Sequence, residues 1–135
     1  MRIFEEIRTS HPDKVLLVSV ECSGKMDLKL WFEPYNQEGG MEPTEVGIRF
    51  FADAFEMLHC DQKCGVHLEG ALKVVTDGET ESDESGLWIR KCTNVQIYLA
   101  METDFENKDL SDRCMHQIAF ARCISAVQKG AAEVI

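Results

Sequence analysis

The sequence predicts a mainly β domain, an antiparallel β-sandwich with one C-terminal α-helix, and three observations carry this. Most of the chain alternates apolar and polar residues with a period of two, as half-buried strands do. Stretches rich in Gly, Pro and acidic residues interrupt the alternation as turns would. Only the last segment, from about Ser111, changes to helical spacing. With 135 residues, 44% hydrophobic and 28% charged, the chain has the balance of one ordinary globular domain. A chain of this size buries roughly two-thirds of the surface it exposes unfolded, which is enough for a real core.

The elements follow in order. Lys14 to Glu21 (KVLLVSVE) is rich in β-branched residues and comes after the turn signal His11-Pro12-Asp13. Beyond Ser23-Gly24, Met26, Leu28, Leu30 and Phe32 share one face while Asp27, Lys29, Trp31 and Glu33 share the other. Two such runs across a short glycine-containing turn predict a β-hairpin with one buried face. Residues 34–44 hold two prolines and a Gly pair and read as a loop. Val46 to Leu58 fits a helix through Ile48, Phe51, Phe55 and Leu58, and a strand through Val46, Ile48, Phe50, Ala52 and Ala54. Its aromatic content and strand-like neighbours favour the strand.

Gly65 to Glu69 and Ala71 to Val75 read as short strands around Gly70, and Asp77 to Ser85 as an acidic loop. Leu87 to Lys91 is a short strand. Asn94 to Met101 alternates again, with Val95, Ile97, Leu99 and Met101 on one face. From Ser111 onward, Cys114, Ile118, Ala121 and Ser125 form a stripe at helical spacing, and Gly130 is a stop. The strands are expected over residues 1–108, and an amphipathic helix over 109–135 leads out of the domain.

Charge and composition exclude whole classes of function. The chain has 14 Lys+Arg against 24 Asp+Glu, a net charge of -10. No basic face is available to displace counterions from phosphates, so no nucleic-acid partner is expected. Five of the acidic residues fall in Asp77 to Ser85, so half of the net charge is local. No apolar run reaches the ~20 residues of a membrane span, and the N-terminus lacks a signal-peptide pattern. Cys22, Cys60, Cys64, Cys92, Cys114 and Cys123 without such a signal read as reduced thiols of a cytoplasmic protein.

Each chemical motif has a plainer reading. His59, Cys60, Cys64 and His67 are four zinc-type donors in nine residues. Structural zinc sites join separate elements, whereas these donors flank one turn, so a hairpin with incidental Cys and His is preferred and no metal or cofactor is expected. The acidic loop lacks the residue order of a calcium loop. The close carboxylate pairs Asp53/Glu56, Glu102/Asp104 and Asp109/Asp112 lie along single elements, and a glycosidase needs its pair across a cleft. Cys114 and His116 stand about 200° apart on a helix and cannot form a dyad. Trp31, Tyr35, Trp88 and Tyr98 offer flat apolar rings for a sugar face, with Trp31 and Trp88 the best candidates for sugar contact. Trp31 on a polar strand face is also the type of residue a neighbouring sheet or domain buries.

The order of segments is itself informative. Ser10-His-Pro-Asp-Lys-Val-Leu-Leu-Val-Ser-Val20, Met26-Asp-Leu-Lys-Leu30, Gly47-Ile-Arg-Phe-Phe-Ala52 and Cys92-Thr-Asn-Val-Gln-Ile-Tyr-Leu-Ala-Met-Glu-Thr-Asp-Phe105 resemble the N-terminal domain of glycoside hydrolase family 95, the alpha-L-fucosidases. Arg113-Cys114 and the helix after it fit as well. The resemblance covers roughly residues 8 to 128 and rests on pattern and short strings, with no catalytic signature. It implies part of a β supersandwich that packs on an (α/α) helical barrel, where fucose is hydrolysed with inversion. The family's Trp-rich opening strings and its His-x-x-Asp string after the helix are absent. No catalytic residue carries over to this sequence.

The function expected is therefore a non-catalytic β-sandwich part of a fucosidase-like glycoside hydrolase. It would support a helical barrel and flank its sugar cleft. The alternative is a free-standing carbohydrate-binding module. A part-sandwich exposes apolar edges, so self-association of the isolated chain is expected.

Overall fold

The computed structural model describes residues 2–34, 39–44, 47–53, 67–104 and 111–130. The fold is mainly β and antiparallel with one C-terminal helix, as the alternation predicts. The strands are β1 (Ile3–Ser10), β2 (Val15–Leu30), β3 (Gly39–Pro43), β4 (Gly47–Asp53), β5 (His67–Thr76), β6 (Glu79–Asp83) and β7 (Gly86–Thr103), followed by α1 (Asp112–Lys129). They form a seven-stranded sheet in the order β1-β2-β7-β5-β4-β3, with β6 added on β7.

The sheet is bent, and the bend makes the core. β2 and β7 pair from Leu16↔Leu99 to Glu21↔Asn94, slip in register, and pair again from Met26↔Cys92 to Leu30↔Leu87. Lys91 has φ 55° at this point, a left-handed conformation that costs a side-chain-bearing residue about 1 kcal/mol. Asp77 secures the bend: its carboxylate accepts the backbone N–H groups of Thr93 and Asn94 at 3.0 and 3.1 Å, and the Thr93 hydroxyl. The outer arm, built from the second half of β2, the first half of β7 and β6, turns its apolar side chains onto the main sheet. Met26, Leu87 and Ile89 from the arm share one buried cluster with Val20, Ile48, Phe50, Val74, Val95 and Ile97. Phe32 stacks on Phe50 with ring centroids 4.7 Å apart. The two arms of one sheet thus face each other across a core, as the layers of a sandwich do.

The opposite face of the main sheet is covered by α1. Ala119, Cys123 and Ala126 pack on Val15, Leu17, Ala71, Tyr98 and Ala100. Small residues let the helix come so near that the Cys123 thiol donates to the Ala71 and Tyr98 carbonyls at 3.3 and 3.5 Å. Burial pushes that thiol up to about 11. Ser111 caps the N-terminus by accepting the Cys114 N–H, and Gly130 ends the helix at φ 89°. Lys129 ties the last turn to Asp13 at 3.0 Å.

Several expectations need correction. Residues 14–33 are not a hairpin: β2 runs unbroken from Val15 to Leu30, and Ser23-Gly24 lies in its irregular middle. Residues 39–43, read as loop, form β3, and the acidic loop contains β6. β5 passes straight through Gly70, and Leu87 to Met101 is one strand instead of two. β1 was not foreseen. The helix buries Met115, Ala119, Cys123 and Ala126, whereas Ala121 and Ser125 of the expected stripe are exposed. Val46 to Leu58 is a strand over Gly47–Asp53, and its remainder lies outside the described residues. The boundary expected between residues 108 and 109 also lies outside them.

Candidate functional site

The outer arm presents the two tryptophans selected from the sequence. Alternation that sends Leu28, Leu30, Leu87 and Ile89 inward sends Lys29, Trp88 and Arg90 outward. Register places Lys29 opposite Trp88, and Glu81 opposite Trp88 on its other side. Trp31 follows just past the end of β2 and is 55% exposed. The Lys29 ammonium lies 5.7 Å from the Trp31 ring centroid and 5.2 Å from that of Trp88. The Arg90 guanidinium lies 4.7 Å from Trp88 on the same strand. Cations on indole faces are attracted by the ring quadrupole, so Lys29 links the two rings into one surface.

Acidic groups border this surface. Arg90 approaches Glu81 at 3.6 Å and Asp27 at 3.9 Å, and the Trp31 indole N–H donates to Glu33 at 2.9 Å. Indole planes flanked by Lys, Arg, Asp and Glu have the composition that holds a sugar: apolar rings for its C–H face, charged groups for its hydroxyls.

A second cluster lies on the helix side of the sheet, and sequence reasoning missed it. Glu69 of β5 is fully buried. Arg49 of β4 binds it through two nitrogens, and the ring Nε2 of His67 lies 2.9 Å from its Oε2. The other ring nitrogen of His67 is 2.7 Å from Asp53, and its backbone N–H donates to Asp104. Glu102 stands directly opposite Glu69 on β7, and Arg122 of α1 holds it at 3.0 Å. Every carboxylate in this chain of contacts therefore has a cation or donor beside it, as burial requires. The signal in the sequence was an acid at an inward position of an otherwise apolar strand, with Arg49 and His67 at matching parity.

His67 is the one member of the His59 to His67 cluster among the described residues; His59, Cys60 and Cys64 lie outside them. Among the described residues, no group of three His, Cys, Asp or Glu is placed to hold a metal ion. Of the three carboxylate pairs, only Glu102/Asp104 can be described in full, and both members are engaged as above. Cys114 and His116 do not meet. His116 instead tilts against Phe120 with centroids 6.1 Å apart and helps to line an apolar cleft of about 80 Å³ with Arg49 and Lys73.

Residues 2–108 match the family described as glycosyl hydrolase family 65, N-terminal domain. The chain belongs to that family. This glycosyl hydrolase N-terminal domain has no match among curated proteins. The coarser part of the sequence resemblance, a β-rich N-terminal domain of a glycoside hydrolase, is met. Membership in an N-terminal domain family implies a catalytic domain as its partner. No helix among the domain's described residues is long and apolar enough to cross a membrane.

Proposed function

We propose that this domain is the non-catalytic β-sandwich portion of a fucosidase-like glycoside hydrolase, supporting an (α/α) barrel and walling one side of its sugar cleft. The observation that carries the reading is the state of its inward carboxylates. Glu69 and Glu102 lie on neighbouring strands, but Arg49 and His67 hold one and Arg122 the other. A glycosidase acid must be free to give up its proton across a cleft to substrate, and these groups are committed to the fold. The free thiols Cys22, Cys92, Cys114 and Cys123 suit a cytoplasmic setting. Assaying the purified chain against a chromogenic alpha-L-fucoside is the test: no turnover is expected, and activity that persists through further purification overturns the reading.

A free-standing carbohydrate-binding role is the second reading, favoured by Trp31 and Trp88 sharing one outward surface with Lys29. Titration calorimetry with fucose and with an oligosaccharide at millimolar concentration tests it. Heat lost in both Trp31→Ala and Trp88→Ala supports sugar binding there, and absence of heat with the unaltered chain removes it.

A further inference from the structure

The two ends of the main strand order, β1 and β3, are unlike. β3 is five residues long, contains Pro43 and begins with two glycines, the features that blunt an edge against pairing. β1 is eight residues long with no proline or glycine, and among the described residues no strand covers its outer side. Ile3, Phe4 and Ile7 on it are 57, 63 and 64% exposed. Ile3 and Ile7 stand opposite Cys22 and Val18 of β2, so they continue the apolar face of the main sheet past its covered part. A long, unblunted edge with exposed apolar side chains is a template for strand addition.

The charges on β1 select what fits it. A two-fold axis perpendicular to the sheet pairs two antiparallel copies of an edge strand about one central residue, keeping each face with itself. Centred on Glu5, Glu6 or Arg8, that pairing sets the central charge against its own copy, which is destabilising. Centred on Ile7, it sets Ile7 against Ile7 and Glu6 against Arg8 of the second copy, and Arg8 against the second copy's Glu6. Glu5 then meets Thr9, and Phe4 meets Ser10. No like charges oppose, and two ion pairs form across the seam. Glu6 and Arg8 already lie together on one face, 3.1 Å apart within the strand.

We propose that β1 is a homodimerisation edge, joining two copies of this chain into one continuous antiparallel sheet in the register centred on Ile7.

The register makes a charge-exchange test available. Sedimentation velocity across the micromolar range is expected to show a reversible dimer. Glu6→Arg places arginines against arginines, and Arg8→Glu places glutamates against glutamates, so each variant alone should dissociate about tenfold or more readily. Mixed in equal amounts, the two variants restore both opposite-charge pairs and should form a heterodimer. Circular dichroism melts of each variant verify that the fold survives the loss of the ion pair within the strand. Should a variant fail to fold, hydrogen exchange of the unaltered chain decides: β1 amides should become more protected as concentration rises. A concentration-independent monomer overturns the proposal. So does a dimer indifferent to both substitutions, which would use another surface. Well-folded variants that stay monomeric on mixing overturn the register, and β1 exchange independent of concentration overturns the edge.

Discussion

Arg49 grips the wholly buried carboxylate of Glu69 with one edge of its guanidinium, with Nε 2.9 Å from one oxygen and Nη2 3.1 Å from the other. The pair bridges β4 and β5 beneath the edge of α1. Its main role is to prevent a buried charge from standing alone, because desolvation largely cancels the Coulombic gain of such pairs.

Removing one partner should therefore cost more than removing both. Arg49→Met leaves the Glu69 carboxylate with the His67 ring as its remaining described partner and is expected to destabilise by about 3–5 kcal/mol. Arg49→Met with Glu69→Met should recover much of that loss. Urea unfolding midpoints of the single and double variants check this, and strictly additive losses would sink it.

Gly70 makes room for an aromatic ring. A Cβ built there would fall 2.1 Å from the Phe50 ring, and Phe50 is itself held against Phe32. Gly70→Ala is expected to destabilise by about 1–3 kcal/mol through overpacking. Phe50→Leu in the same background should recover part of the loss, which thermal melts of the single and double variants would reveal.

The bend has a pH signature. Hydrogen bonds from the Thr93 hydroxyl and from the Thr93 and Asn94 amides lower Asp77 to about 2, below its ordinary 3.8. A carboxylate lowered by folding adds stability above its unfolded value and loses it as pH falls through the folded one. Asp77→Asn should therefore flatten the decline in stability between about pH 4 and pH 2, while leaving a weaker bend at neutral pH. Melting temperatures across that range provide the measurement.

The thiol under the helix titrates in the opposite sense. Cys123 is raised from 9.0 to about 11, chiefly by burial. A thiol raised by folding favours the native state below its unfolded value, so that contribution is lost as pH rises from about 9 to 11. Native alkylation should spare Cys123 while half-buried Cys22 and Cys114 react, and mass mapping after brief iodoacetamide treatment would show it. Labelling of Cys123 at the rate of Cys114 would mean that α1 is not seated as described.

Period and composition made the β class, the terminal helix and its glycine stop legible, because these depend on neighbours in sequence. For Val46 to Leu58 the alternation fits a strand and a helix alike, and aromatic content with strand-like neighbours favours the strand found over Gly47–Asp53. The hairpin at Ser23-Gly24 was misread because a glycine-containing interruption looks alike in a turn and in an irregular strand. What distinguishes them is the Met26↔Cys92 pairing, made with a strand far along the chain. The helix stripe shifted for a related reason. Ala119, Cys123 and Ala126 are chosen for how near they let the sheet approach, which hydrophobicity alone does not report. Trp31 and Trp88 were selected for ring chemistry, but Lys29 between them became visible only through register. His67 and Glu69 stand two apart on β5, but the Arg49–Glu69 contact joins β4 to β5 and no local spacing encodes it.

The central position of β7 also governs the order of assembly. Its partners β2, β5 and β6 all precede it in the chain, and it forms a seam with each. During synthesis the middle of the sheet therefore stays open until Thr103 has emerged, and β2 must wait unsatisfied along one whole side. Non-local pairing of this kind makes folding slow and leaves strand edges exposed to wrong partners. A nascent chain interrupted before β7 would carry nearly all of the strands and almost none of the native cooperativity.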